Sequence, residues 1–311
     1  MASNVVDFGI SLAMPSAEEA SDRQAYFLDL LRIAEGSLSS AWVADHLMKG
    51  TRPLLEAWTT ITYFAAKAPS FTFGNLVLSQ SYRNPALLAK MAATLQYWTG
   101  GRLILGIGAG WQADEYAAYD FPYPSAGIRI EQLSEAIDVL RALWTDSPAT
   151  YEGRHYRVLD AYCEPRPTMP IPILVGGRKP RFMRVAAEKA DIWQWDGPIE
   201  RYRVPYDLLV TNCAEIGRPL SSIGLSTSGE VYFPEDRSNF PAEMPLAIVD
   251  RTQDPSGAFA GERDWILGPT PADAVAGLRP LIDLGVSQVT LYFWDRRSLR
   301  LFIDEVIPAF R

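Results

Sequence analysis

The sequence is poor in side chains that bind metals or form cross-links, with two cysteines and two histidines among 311 residues. Cys163 and Cys213 lie far apart, and neither belongs to a Cys-x-x-Cys pair. A disulfide framework or a zinc site needs several such residues at close spacing. His46 and His155 form no His-x-His or His-Glu-x-x-His pair. The sequence therefore predicts no metal site, and a reducing compartment, the cytoplasm, as the location.

Positive charge and long apolar runs are also scarce. The chain carries 29 Lys and Arg against 37 Asp and Glu, a net charge of -8. Nucleic-acid binding needs a basic surface that releases counterions, so we expect no nucleic-acid partner. No run reaches the roughly 18 apolar residues of a membrane helix, and no basic-then-apolar leader opens the chain. We therefore expect a soluble, unexported protein that acts on a small molecule.

What the sequence does contain is an alternation of short apolar strands and amphipathic helical segments. The predicted strands are Val5 to Ser11, Ala41 to Ala44, Thr72 to Leu78, Leu103 to Gly108, Ile173 to Val175, Asp191 to Trp195, Ile223 to Val231 and Gln288 to Phe293. The predicted helices are Ala17 to Gly36, Pro53 to Lys67, Pro85 to Thr99, Gly127 to Trp144, Pro180 to Ala190, one ending at Gly217, and Ser298 to Ile307. Eight strand-helix units imply an α/β fold, the (β/α)8 TIM barrel.

Two stretches interrupt this alternation, and we expect both to be insertions in one domain that spans residues 1–311. A hairpin insert at about 148–172 follows strand four, and a stretch without periodicity at about 233–268 follows strand seven. The second stretch is too long for an ordinary connection. It is either a mobile loop that covers the barrel mouth or a disordered insert without a role.

In barrels of this kind the chemistry lies where the strands end. The residues at the predicted strand ends are Asp45 and His46, Leu76 to Gln80, Gly108 to Trp111, Gly176 to Arg178, Trp195 and Asp196, Ser226 to Ser228, and Trp294 and Asp295. They contain no metal cluster, and the chain has no Gly-x-Ser-x-Gly nucleophile elbow. A site made of these residues needs the reactivity of a cofactor.

Glycine marks two of these strand ends. Gly106, Gly108 and Gly110 alternate with single residues, which is typical either of a tight turn or of a backbone that a ligand approaches closely. Gly176 and Gly177 precede a predicted helix whose first N–H groups and positive dipole end suit a phosphate. Arg178 or Lys179 adds positive charge there.

Several motifs occur in a fixed order along nearly the whole chain: Val43-Ala-Asp-His46, Arg83-Asn-Pro85, Gly100 to Trp111, Glu115-Tyr116, Pro122 to Arg129, Glu152 to Tyr156, Pro172 to Gly177 and Ala187 to Trp193. In this order and spacing the chain resembles the bacterial luciferase-like superfamily of flavin and deazaflavin oxidoreductases. The resemblance implies a barrel that holds coenzyme F-420 or reduced FMN, with the ring toward the barrel centre and the phosphate near the helix after strand five. Members of this family often form homodimers, which is a further expectation here.

The resemblance also implies roles for individual residues. The expected cofactor-binding residues are Asp45, Leu76, Val77, Ser79, Gly108, Ala109, Gly110, Gly176, Gly177 and Arg178, with a non-prolyl cis peptide at Leu76-Val77. His46 is the expected catalytic residue, because an imidazole can exchange a proton with a substrate hydroxyl while a hydride moves. Asp45 fixes either the ring or the histidine, or it is only a helix cap.

The strand-four loop separates this chain from some family members. Trp111 stands where sugar-phosphate dehydrogenases of the F-420 group carry an acidic proton donor, which argues against the same substrate. Trp111 and Trp195 are expected to wall an apolar substrate pocket. We expect Glu115, Tyr116 and Arg129 to hold the loop by hydrogen bonds and an ion pair.

Three functions remain open at this point. The Asp45-His46 pair favours hydride transfer between F-420 and a small organic substrate. The alternatives are a monooxygenase that uses reduced FMN and a non-catalytic flavin-binding barrel protein.

Overall fold

The computed structural model describes residues 6–12, 23–51, 53–240 and 265–311. The strands are β1 (Asp7–Ser11), β2 (Ser40–Val43), β3 (Thr72–Asn75), β4 (Leu78–Ser79), β5 (Leu103–Gly108), β6 (Ala149–Glu152), β7 (Arg157–Ala161), β8 (Ile173–Gly176), β9 (Ile192–Gln194), β10 (Gly224–Val231), β11 (Ile266–Leu267) and β12 (Gln288–Phe293). The helices are α1 (Arg23–Ala34), α2 (Ala57–Lys67), α3 (Pro85–Thr99), α4 (Ala113–Ala118), α5 (Ala126–Thr145), α6 (Pro180–Lys189), α7 (Ile199–Glu215), α8 (Pro271–Leu284) and α9 (Arg296–Leu301).

Eight parallel strands close into a ring in the order β1, β2, β3, β5, β8, β9, β10 and β12. The ring closes between β12 and β1, where Asp7 pairs with Gln288. The short strands β4 and β11 pair with β5 and β10. The predicted (β/α)8 TIM barrel is confirmed.

Strand side chains alternate between the helices and the barrel interior, as the pleat requires. Phe8 of β1 and Phe293 of β12 both pack on Phe302, with ring centroids 5.3 and 5.4 Å apart. On the inner side, Trp42 is fully buried, and a Cβ at Gly74 would lie 2.4 Å from its ring. Trp42 therefore fills the barrel below the strand ends and needs a glycine opposite it.

The bounds of α3, β5 and β12 agree with the sequence prediction. For α3 the local signals are strong: the Asn84 side chain accepts from the N–H groups of Ala86 and Leu87, Pro85 occupies the first turn, and Gly100 ends the helix with a φ of 64°. Such caps satisfy the free backbone groups at helix ends. Helix α2 begins at Ala57 rather than Pro53, because the Glu56 side chain caps the N–H groups of Trp58 and Thr59. The predicted starts at Val5 and Ala17 lie outside the described residues.

Two helices, α4 and α8, were not predicted. Helix α4 spans only Ala113–Ala118, too few residues to show a helical period. Helix α8 carries Pro280 in its interior, and proline is unfavourable inside a helix. The start of α8 could nevertheless have been predicted from the sequence, because Thr270 and Asp273 form a capping box.

The third predicted strand is broken in the structure. Strand β3 ends at Asn75, a cis peptide joins Leu76 to Val77, and the chain rejoins the sheet as β4. The implied non-prolyl cis peptide is therefore confirmed. Neighbouring glycines accommodate this bulge, since a Cβ at Gly106 would lie 1.7 Å from the Asn75 carbonyl oxygen and one at Gly108 would lie 2.8 Å from Val77.

The insertions after the fourth and seventh barrel strands differ in how far they are described. The first contains the antiparallel hairpin of β6 and β7. Residues 241–264, most of the predicted mobile loop, lie outside the described residues; at its edges, Arg237–Asn239 form a 3₁₀ turn and β11 pairs with β10. Within the described ranges, no helix is long and apolar enough to cross a membrane. Those ranges also hold no group of three or more His, Cys, Asp or Glu residues arranged for a metal ion.

Candidate active site

A cavity of about 230 Å³ lies at the carboxyl ends of the barrel strands. It brings together residues that follow β2, the cis peptide, β5, β8 and β9. The predicted site residues that line it are Asp45, His46, Leu76, Val77, Ser79, Gly110, Trp111, Gly176 and Trp195. Gly108, Ala109, Gly177 and Arg178 are not among its lining residues.

Asp45 is buried, and its carboxylate is bound by the loop between β4 and α3. Arg83 donates to both oxygens, at 2.8 and 3.0 Å, and the backbone N–H of Ser79 donates at 2.9 Å. Arg83 also pairs with Glu56. Burial lowers the pKa of Arg83, but hydrogen bonds and charges from Asp45 and Glu56 outweigh it and raise that pKa above its ordinary value. Asp45 thus anchors both Ser79 of β4 and the loop after it, which carries Arg83. The helix-cap alternative is wrong, because the next helix begins at Ala57.

This buried pair gives a stability prediction. Removing one partner of a buried ion pair typically costs about 3–5 kcal/mol, because the other charge stays uncompensated. We expect Arg83→Met to lower the free energy of unfolding by about 3 kcal/mol, measured by urea denaturation. The matched control is Arg154→Met, which removes an exposed ion pair with Glu131 and costs at most about 1 kcal/mol. Equal losses in the two variants would contradict the anchor role.

His46 contacts Glu115 and Trp111 at the cavity wall. Its Nδ1 lies 2.9 Å from Oε1 of Glu115, and its ring meets the Trp111 ring edge to face at 5.8 Å. The histidine partner is thus Glu115 rather than Asp45. The predicted ion pair of Glu115 with Arg129 is wrong, because Arg129 donates to the Pro124 carbonyl and lies 3.9 Å above the Tyr123 ring. Sequence reasoning assigned Glu115 to loop structure and so missed a site residue.

Tyrosines surround the same carboxylate. Tyr82 donates its hydroxyl to Oε2 of Glu115 at 2.8 Å and packs on Tyr116 at 4.9 Å. Burial, followed by the negative charge of Glu115, raises the pKa of Tyr82 far above its ordinary value. Burial also raises the pKa of Tyr116, whose hydroxyl bonds to Ser79 Oγ. Both phenols therefore stay protonated at neutral pH.

The glycine run after β5 serves the protein's own packing as well as the cavity. Gly110 lines the cavity with a φ of 74°, and a Cβ there would lie 1.9 Å from the Tyr116 hydroxyl. Gly108 faces the Val77 side chain. Neither a tight turn alone nor a ligand is needed to explain these two glycines, because the protein's own side chains, Tyr116 at Gly110 and Val77 at Gly108, approach them closely. Close approach of a ligand to this backbone remains a prediction.

The predicted phosphate end lies beside the cavity. Gly176 lines it, whereas the Gly177 carbonyl accepts from Trp193 Nε1 at 2.8 Å, and Arg178 lies 5.1 Å from the Trp195 ring. Helix α6 begins directly afterwards, at Pro180. A phosphate at this helix start remains a prediction.

Gln194, Glu230 and Thr290 also line the cavity, although the sequence analysis predicted none of them as site residues. Gln194 donates to Ser228 at 3.0 Å, and Glu230 accepts from Trp294 Nε1 at 2.7 Å. Thr290 is 1% exposed, and its hydroxyl has no hydrogen-bond partner among the described residues. The sequence did contain a signal for the cavity residues of β10 and β12. Side chains alternate along a strand, so every second residue of these two strands points into the barrel. Asp295, by contrast, caps α9.

Residues 6–279 match the family described as luciferase-like monooxygenase. The chain belongs to this family. The resemblance seen in the ordered motifs is therefore confirmed.

Individual luciferase-like relatives match most of the chain. An F-420-dependent glucose-6-phosphate dehydrogenase from Amycolatopsis mediterranei is 26% identical and covers 90% of this chain and 92% of its own. A second, from Rhodococcus jostii, is 26% identical and covers 99% of both chains.

Solved structures share the luciferase-like fold at low identity. An F-420-dependent secondary alcohol dehydrogenase, in complex with an F-420-acetone adduct, superposes with a TM-score of 0.81 at 19% identity and covers 99% of both chains. The F-420-dependent tetrahydromethanopterin reductase from Methanopyrus kandleri superposes with a TM-score of 0.79 at 19% identity, and the match covers 99% of this chain and 100% of the reductase chain. A long-chain alkane monooxygenase superposes with a TM-score of 0.78 at 13% identity, and the match covers 98% of this chain and 90% of the monooxygenase chain.

Proposed function

We propose that this protein is an F-420-dependent oxidoreductase that transfers a hydride between the deazaflavin and a small organic substrate, in either direction. The observation that carries the proposal is the position of His46 in the cavity that the Leu76-Val77 bulge also lines. Support comes from the F-420-dependent relatives, which match nearly the full length of the chain.

The cavity fits a planar ring that has one apolar and one polar edge. Leu76 and Val77 offer an apolar surface, whereas the buried Thr290 hydroxyl lacks a partner within the described chain. Buried polar groups are normally hydrogen-bonded, so this hydroxyl suits a polar ligand edge. Gly110 and Gly176 also line the cavity. Coenzyme F-420 supplies a ring that accepts or donates a hydride when it is bound.

His46 moves the proton that accompanies the hydride. In the oxidation of an alcohol to a carbonyl, the imidazole of His46 would accept the hydroxyl proton, while bound F-420 would supply the acceptor for the hydride from the carbon. In the reverse direction the imidazole returns the proton to the oxygen. Nδ1 faces Glu115, so Nε2 is the nitrogen available to the substrate. Asp45 acts indirectly, because it fixes Ser79 at the end of β4 and Arg83 in the loop that follows.

Cofactor binding tests this proposal directly. The apo-protein is titrated with F-420 and, separately, with FMN, following the quenching of cofactor fluorescence. We expect F-420 to bind at least about 10-fold more tightly than FMN, a difference of about 1.4 kcal/mol. FMN selectivity would instead identify a reduced-FMN monooxygenase. Tight F-420 binding without turnover of any substrate would identify a non-catalytic binding protein.

The substrate is expected to be neutral. Trp111 and Trp195 give the cavity aromatic walls, and the carboxylates of Asp196 and Glu230 line it as well. Carboxylates repel an anion, and a phosphate also loses hydration in such a site. We therefore expect kcat/KM for small neutral secondary alcohols to exceed that for glucose 6-phosphate by at least about 10-fold, or about 1.4 kcal/mol. Preference for the sugar phosphate in initial-rate assays would refute this assignment.

A further inference from the structure

Glu115 is almost completely buried, at 1% exposure, and both of its carboxylate oxygens are engaged. Oε1 lies 2.9 Å from Nδ1 of His46, and Oε2 accepts the Tyr82 hydroxyl at 2.8 Å. The backbone N–H of Met48 lies 3.5 Å from Oε1. The carboxylate thus connects the loop after β2, which carries His46, to helix α4 and to the turn before α3.

We propose that Glu115 is a positioning residue, which fixes the tautomer and the orientation of His46 so that Nε2 faces the substrate. This inference rests on the proposed function, in which His46 exchanges a proton with the substrate.

The hydrogen-bonding capacity of the two side chains determines the tautomer of His46. A neutral imidazole has one N–H and one acceptor nitrogen, and a carboxylate can only accept. The short contact with Glu115 therefore places the imidazole proton on Nδ1 and leaves the lone pair on Nε2. A buried carboxylate that holds a histidine in this way also stabilises the imidazolium that forms after proton uptake.

The carboxylate itself is held rigidly. Tyr82 packs against Tyr116 and Phe121, with ring centroids 4.9 Å away in both cases. Its phenol remains a donor, since burial and the Glu115 charge raise the pKa of Tyr82. The imidazole also meets the Trp111 ring edge to face, with the ring centroids 5.8 Å apart, and this contact restricts its rotation. The histidine is thus restrained both by Glu115 and by Trp111.

Tautomer measurement by ¹⁵N NMR separates this role from a merely structural one. The chain has only two histidines, so [¹⁵N]histidine labelling gives two sets of ring signals, and His46→Asn assigns them. At a pH where His46 is neutral, we expect Nδ1 to be protonated and Nε2 to be bare in the wild type. In Glu115→Gln, we expect the signals to move toward the mixed tautomers of free histidine.

Tyr119→Phe is the matched control. Tyr119 lies at the end of α4 and donates to the Leu47 carbonyl at 3.2 Å, but it does not line the cavity. This variant removes a bond between the same two segments and should leave the His46 signals unchanged. An unchanged tautomer in Glu115→Gln, or an equal change in Tyr119→Phe, would overturn the proposal.

Kinetics give a second readout. In the F-420-loaded enzyme, we expect Glu115→Gln to lower kcat by about 10- to 1,000-fold, with KM and the cofactor Kd within about twofold of wild type. Glu115→Asp, which keeps the carboxylate, should restore part of kcat. A kcat no lower than that of Tyr119→Phe would count against the proposal. If the wild type fails to bind F-420, the proposed function fails while the tautomer result still stands.

Discussion

Replacing His46 with alanine should lower kcat by about 10²- to 10⁴-fold, while the cofactor Kd changes by less than about threefold. The reason is that His46 lines the cavity with Nδ1 held by Glu115, so the variant loses the group that exchanges the proton. The cofactor ring is expected to contact mainly other residues of the wall. Steady-state turnover and fluorescence titration of the same preparation measure the two quantities.

The matched control for this loss is the second histidine. His155 lies in the hairpin, where its Nε2 is 3.2 Å from Glu131, and it does not line the cavity. We expect His155→Ala to keep kcat within about twofold of wild type, because it leaves the proton-exchanging group in place. Retention of turnover in His46→Ala would show that the proton moves through another group.

Gly106→Ala should destabilise the fold more than any other substitution considered above. A Cβ at this position would lie 1.7 Å from the carbonyl oxygen of Asn75, which is backbone and cannot rotate away. The end of β3 would have to move away from β5 just beyond the Gly74–Ile104 pair, next to the Leu76-Val77 bulge. Overpacking a buried site usually costs about 1–3 kcal/mol, and a backbone clash exceeds that range. We expect a loss of at least about 3 kcal/mol in urea denaturation, or no folded protein at all.

Gly127→Ala is the matched control for the added methyl group. Gly127 is the second residue of α5, and the nearest atom to its added Cβ is Nη1 of Arg181 at 2.9 Å, the far end of a flexible side chain. Alanine is the better helix former, by at most about 1 kcal/mol, the value for a helix interior, so this variant should stay within about 1 kcal/mol of the wild type. If Gly106→Ala proves as stable as Gly127→Ala, the strands must adjust freely to the added methyl group. The close approach of the Asn75 carbonyl oxygen would then not explain why residue 106 is a glycine.

These glycines show how far local sequence reasoning reaches. Strand β5 was predicted with its observed bounds, and its glycines were interpreted either as a tight turn or as a backbone that a ligand approaches closely. The partner in that approach was not predictable, because Gly106 and Gly108 face the bulge of the neighbouring strand. That bulge depends on the cis peptide at Leu76-Val77, which the family resemblance implied but which no propensity scale indicates.

The charged residues of the site show the same limit. Asp45 and His46 were selected because they follow a strand, and both line the cavity. Their partners were not identified, since Arg83 lies 38 positions and Glu115 lies 69 positions further along the chain. Helix α4, which carries Glu115, was itself missed because it is so short.

The sequence by itself determined the alternation of strands and helices, hence the closed barrel and the edge at which its polar residues collect. These features follow from periodicity and capping, which act within a few residues and can be read from any one segment. Only the tertiary structure decided that Asp45 binds Arg83 and that His46 binds Glu115. Such pairs form when closure of the ring brings distant segments together, and the choice among several polar neighbours then depends on distances that no local pattern encodes.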